Sequence, residues 1–161
     1  LASTLYAFCF RYKNNEFDKL FPKIRVAEFK ALPIKLIDED SQKPFTDKAD
    51  IMLSQNKALQ ALKNDFLNFV RNELKPQKIS IKLEHWHDLD WDGFKKELAK
   101  GKVKLDTLSL KDRKEWQDYF LEQQNKAIEI KAIIDKTDRE IDRMVYALYG
   151  LTDEEIRIVE G

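Results

Sequence analysis

Two long stripes of apolar side chains organise most of this chain. Met52, Leu59, Leu62, Phe66, Phe69 and the adjacent Val70 follow one another in three- and four-residue steps, broken once at Gln55. That spacing sets them on one face of a helix as a heptad seam. Thr46 is placed to cap this helix, with Asp47 and Asp50 in its first turn, where carboxylates favour the positive end of the dipole. Pro76 ends it near Leu74. The second stripe is Trp116, Phe120, Gln123, Ala127, Ile130, Ile134, Thr137, Ile141, Met144 and Leu148, and it alternates four and three without interruption. It predicts a single helix from about Lys111 to Tyr149, capped by Ser109. The segment 75–109 is long enough to bring the chain back, so the two helices are expected to pair antiparallel. Small Ala127 and polar Gln123 and Thr137 in the seam point to close approach or register-setting.

Shorter patterns fill the rest. Ile79-Ser80-Ile81-Lys82-Leu83 alternates as a short strand, and Leu89, Trp91, Phe94 and Leu98 fit a small amphipathic helix over 90–99. Residues 1–13 are apolar nearly all round and read as a buried helix, an interior segment whose partner lies in the rest of a larger protein. Residues 20–38 read as two strands with a short connection. Ile24 and Val26 fall on one face, Lys23 and Arg25 on the other, and Pro33 restricts Leu32 to extended geometry. A polar, proline-closed loop covers 38–44. At the far end, Tyr149-Gly150-Leu151-Thr152 reads as a helix stopped by a glycine, with Thr152 and Glu155 at capping-box spacing to start another. The expected fold is mainly α with a small β element, an α+β chain. Its expected domains are 1–44 and 45–161, with long helices over about 46–74 and 110–149.

Charge changes the picture little. The 161 residues carry 29 basic and 29 acidic side chains, whereas a self-sufficient nucleic-acid binder shows a basic excess. The charges are unevenly placed. Lys95, Lys96, Lys100, Lys102 and Lys104 crowd one stretch, while Asp138, Glu140, Asp142, Asp153, Glu154 and Glu155 outnumber Arg139 and Arg143 in another. Such polarity serves phosphate contact on one side, or only a solvated helix face and loop. The single cysteine, Cys9, excludes an internal disulfide and fits a reducing cytoplasm as a small buried apolar residue. The apolar opening is far shorter than the roughly 20 residues of a membrane span, and it lacks a basic leader.

Two stretches resemble one known family. Residues 138–156, containing Ile141-Asp142-Arg143-Met144-Val145-Tyr146-Ala147-Leu148-Tyr149-Gly150-Leu151-Thr152, resemble the C-terminal signature of adenine-specific DNA methyltransferases and single-chain type IIG restriction–modification enzymes. Phe21-Pro22-Lys23-Ile24-Arg25-Val26 and Leu32-Pro33-Ile34 are similar to an element of the same family's target-recognition region. The resemblance implies that 1–44 is the end of a target-recognition domain and 45–161 a helical module bracing it. It implies duplex DNA as the partner, reached through a parent enzyme with an N-terminal methyltransferase domain. Lys23, Arg25 and Lys30 are then the DNA-contact candidates, with Lys13 and Lys35 secondary; arginine can fork onto guanine or phosphate, and lysine supplies point charge. Solvent-facing positions of an edge strand explain the same residues without DNA. The parent implies S-adenosylmethionine as cofactor, and Mg if it is also a nuclease.

No catalytic residue is assigned to this chain. The family's adenine-holding loop has two adjacent prolines, and no two of the four prolines here are adjacent; four glycines do not compose a cofactor loop. Asp112 with Glu129 and Lys131 has nuclease-like residue types but falls inside the long helix. His85 and His87, two apart, would share a face on a strand and with Asp90 could hold zinc, yet lack convincing further ligands. Asp88-x-Asp90-x-Asp92-Gly93 opens like a calcium loop, but its closing glutamate position is Ala99. No cofactor or metal is therefore expected in this chain itself. The alternative to a restriction–modification fragment is a non-catalytic helical module for oligomerisation or protein interaction, self-associating through its apolar surface. A metal-dependent hydrolase built on His85 and His87 is a third.

Overall fold

A computed structural model describes residues 3–13, 26–30 and 32–161. Among them every regular element is helical, so the expected β element is corrected and the fold is all-α. The elements are α1 (Thr4–Lys13), α2 (Val26–Lys30), α3 (Glu39–Leu74), α4 (Ile81–Glu84), α5 (Trp91–Lys100), α6 (Leu110–Tyr149) and α7 (Asp153–Glu160), with 3₁₀ turns at Trp86–Asp88 and Leu105–Thr107. No helix among the described residues is long and apolar enough to cross a membrane.

Among the described residues the strand expectations fail for local reasons. At 79–83 the Ser80 hydroxyl accepts the Leu83 amide at 3.1 Å and its carbonyl accepts Glu84 N, which starts α4. Alternation would have put Ile81 and Leu83 on one face, but Ile81 is 77% exposed and Leu83 is fully buried. Of the strands in 20–38, positions 20–25 lie outside the described residues, Val26–Lys30 is α2, and 33–38 has no regular structure. A five-residue helix satisfies part of its backbone internally, whereas a strand needs a neighbour.

The start of α3 also differs. It begins at Glu39, not at Thr46, because the Asp38 carboxylate accepts the Ser41 amide at 2.7 Å. Pro44 is accommodated inside it, within the first two turns, where the backbone is exposed and only one carbonyl loses its amide partner. Thr46 donates its hydroxyl back to the Gln42 carbonyl at 3.3 Å instead of capping. The α6 prediction fares better: Ser109 caps it through the Asp112 amide at 3.2 Å, and every seam position from Trp116 to Leu148 is buried or half-buried.

The chain divides into two compact units, residues Leu1–Met52 with Asp135–Gly161, and Leu53–Ile134. The second is built on rings. Phe66, Trp86, Phe94 and Phe120 are essentially inaccessible, with Phe66 3.9 Å from Trp86 and Phe94 4.7 Å from Phe120 between centroids. Such rings contribute area burial plus roughly 0.5–1.5 kcal/mol per well-oriented pair. Here α3 and α6 run antiparallel, since Phe66 meets Phe120 and Phe69 meets the earlier Trp116. The connecting turns are tied to α6 by Gln124, whose amide donates to the carbonyls of His87 at 3.2 Å and Leu89 at 2.5 Å. In the first unit, Phe10, Leu32, Ile141, Val145 and Tyr146 are buried, and α1 packs on α7. The Thr4 amide and hydroxyl both donate to the Asp142 carboxylate, at 2.7 and 2.5 Å, fixing the start of α1 to α6.

Candidate functional site

Residues 33–35, at the end of the first resembling stretch, meet the second stretch in the first unit. Helix α6 ends at Tyr149 because Gly150 takes φ +67°, a conformation that costs glycine nothing. Gly150 N donates to Ala147 O at 3.1 Å and Leu151 N to Tyr146 O at 3.0 Å, which closes the helix as a Schellman turn. Thr152 and Glu155 form the expected capping box of α7. This leaves the Tyr149 ring at a fixed helix end, facing the irregular segment 33–37.

Tyr149 is the fastener. Its hydroxyl donates to the Pro33 carbonyl at 2.7 Å and accepts the Lys35 amide at 2.9 Å. The Tyr6 hydroxyl lies 2.7 Å away. The Tyr6 hydroxyl also lies 3.3 Å from the Pro33 carbonyl, so the two phenols share that acceptor and either can donate to the other. Burial, then the hydrogen bond to Tyr149, push the Tyr6 phenol up to about 12. Lys35 adds a second tie, its ammonium donating to the Leu148 carbonyl at 2.7 Å. A cation there meets one of the unpaired last-turn carbonyls and the negative end of the helix dipole. Beside the junction lies a groove of about 380 Å³ lined mainly by Ile34, Ile37, Phe45, Val145 and Leu148. Ile34 and Leu36 are 67% and 94% exposed at its edge.

Of the DNA-contact candidates, Lys23 and Arg25 lie outside the described residues. Lys30 ends α2 and is exposed. Lys13 ends α1, and Lys35 is occupied in the junction. The lysine-rich stretch is partly paired internally: Lys95 reaches Asp92 and Asp106, and Lys100 reaches Glu97 at 2.6 Å. Glu97 also accepts the Ser80 hydroxyl at 2.7 Å, and these partners, Lys100 first, hold its carboxyl below the usual range.

The histidine pair is not a strand face. His85 closes α4 and His87 sits in the following 3₁₀ turn, with ring centroids 6.2 Å apart. His87 is buried and its Nδ1 has no hydrogen-bond partner; burial holds its pKa below the ordinary histidine value. Asp88 lies 3.7 Å from its Nε2, too far for a hydrogen bond, and gives its other oxygen to Lys131 at 2.7 Å. That pairing also fixes Lys131 apart from any nuclease-like role with Asp112. Among the described residues no three side chains of metal-binding type converge.

Residues 38–145 match the profile of the family described as Domain of unknown function (DUF8810). The chain belongs to this family. The matched span includes both long helices except the last turn of α6, so it holds the ring-packed unit whole and leaves Tyr6, Pro33, Lys35, Leu148 and Tyr149 outside. No curated protein and no solved structure matches the chain.

The sequence missed Tyr6 and Gln124. Gln124 flanks the seam next to Gln123, and a polar residue there gave no signal of its carbonyl partners. Tyr149 stood in the resembling stretch, but its partners lie 114 and 116 positions away.

Proposed function

We propose that this chain is the C-terminal target-recognition and bracing region of an adenine-specific DNA methyltransferase or single-chain restriction–modification enzyme, with or without endonuclease activity. One observation supports it above the rest. The Leu32-Pro33-Ile34 stretch and the Ala147-Leu148-Tyr149-Gly150 stretch, which resemble that family separately, are joined directly by Tyr149 and Lys35. That two segments far apart in sequence resemble one family and also share hydrogen bonds supports reading them as one element.

The element's task is positional. Extruding an adenine from a duplex costs a few kcal/mol, which contacts elsewhere must offset, and those contacts need a rigid support. Long helices with a ring-packed core and a recognition segment bolted to a helix end supply one. Binding of S-adenosylmethionine, and of Mg for any cleavage, is assigned to the rest of the enzyme, in the cytoplasm. Lys30, with Lys23 and Arg25, remains the proposed DNA contact.

The test uses the enzyme that contains this chain. It should transfer methyl groups from S-adenosylmethionine to adenine in duplex DNA, and removal of 110–161 should abolish specific binding or soluble folding. Absence of any methyl transfer by the intact enzyme would refute the family reading; full specific methylation by the shortened one would refute bracing. The exposed Ile34 and Leu36 favour a second reading, a helical interaction module, for which light scattering would show a stable oligomer.

A further inference from the structure

We propose that the ring-packed unit binds an arginine-bearing polypeptide segment in the open groove between the end of α3 and the start of α6. This does not depend on the DNA-enzyme reading. The groove, about 490 Å³, has an aromatic floor of Phe69, Trp116 and Tyr119 and a rim of Glu73, Asp112 and Glu115. Phe69 lies 5.4 Å from Trp116 and 4.9 Å from Tyr119, and Trp116 meets Tyr119 edge-on at 6.3 Å. Although Phe69 is a seam position, it is 40% exposed, so an apolar ring face is offered to the groove.

Charge decides the class of occupant. All three charged lining residues are carboxylates and none is basic. Lys111 approaches Glu115 only to 3.8 Å, with both side chains well exposed, so solvent screens that pair. Asp112 accepts the Ser109 hydroxyl at 2.8 Å as part of the α6 cap. A phosphate backbone is repelled from such a rim. A cation is attracted to the carboxylates and, over the ring faces, to the aromatic quadrupoles. Arginine suits both features at once: its planar guanidinium stacks on a ring while its forked N–H groups meet a carboxylate, whereas an ammonium is a strongly hydrated point charge.

The measurement is fluorescence anisotropy of labelled nona-arginine and nona-lysine against the full chain at moderate salt. Nona-arginine is expected to bind about fivefold more tightly than nona-lysine, the contribution of stacking. Glu73→Gln with Glu115→Gln removes charge without packing and should weaken nona-arginine about tenfold. Phe69→Leu should weaken it about fivefold while narrowing the arginine–lysine difference. The Trp116 indole N–H resonance should move on titration. Unchanged affinity in the double glutamine variant, or equal affinity for the two peptides, overturns the proposal. So does competition for the site by duplex DNA. Should Phe69→Leu fail to fold, the glutamine pair still decides.

Discussion

The Tyr149 hydroxyl makes three hydrogen bonds, with the Pro33 carbonyl, the Lys35 amide and the Tyr6 hydroxyl. Phenylalanine keeps the ring and loses all three bonds. Tyr149→Phe should therefore destabilise the chain by about 1–2 kcal/mol, because the contacts are solvent-accessible and water replaces part of each bond. Chemical denaturation read by circular dichroism measures this, and an unchanged midpoint would remove the fastener. The same junction sets an alkaline limit. The Tyr6 pKa in the folded state, about 12, stands above the ordinary tyrosine value of about 10. The folded state then holds the proton more tightly, so its contribution is full below about pH 10 and is lost as pH rises through about 12. Stability should fall across that window, and Tyr6→Phe should flatten the fall. None of this was legible in the sequence, because Tyr6 and Tyr149 stand 143 positions apart and neither belongs to a periodic pattern.

Elements were legible where a local signal was long or specific. The uninterrupted four-three alternation of α6 predicted ten buried or half-buried positions, and Gly150 with Thr152 predicted the helix stop and restart down to the hydrogen bonds. Five alternating residues at 79–83 were too few, and Ser80 offered a competing helix cap. Pro44 reads as a boundary in the sequence, but Asp38 opens α3 upstream of it. Two glycines test the element scale from opposite sides. At Gly101 a Cβ would lie 2.7 Å from the Lys78 carbonyl oxygen and 3.0 Å from Pro76 Cβ, where Gln77 N also bonds Gly101 O at 2.9 Å. Backbone cannot yield cheaply, so Gly101→Ala should cost about 1–3 kcal/mol. Nothing crowds Gly150, and Gly150→Ala should cost about 1–2 kcal/mol through its positive φ alone. Thermal melts of both variants separate crowding from backbone conformation.

At the scale of the whole molecule, net charge of zero argued against DNA and the resembling stretches argued for it. The proposed bracing role accommodates both. Most of the chain forms helices whose charges pair with one another, such as Lys131 with Asp88 and Lys100 with Glu97, so a balanced total is what a supporting scaffold requires. Under the proposed function, DNA contact would rest on a few side chains, Lys23, Arg25 and Lys30, rather than on a basic face. The proposed bracing role requires a catalytic domain elsewhere in the enzyme. The most direct measurement is the coding sequence upstream of the Leu1 codon. An in-frame methyl-donor site followed by an Asn-Pro-Pro-Tyr-type loop is the expected result. A start codon immediately before Leu1, with no catalytic domain, would contradict it and leave a stand-alone helical interaction protein.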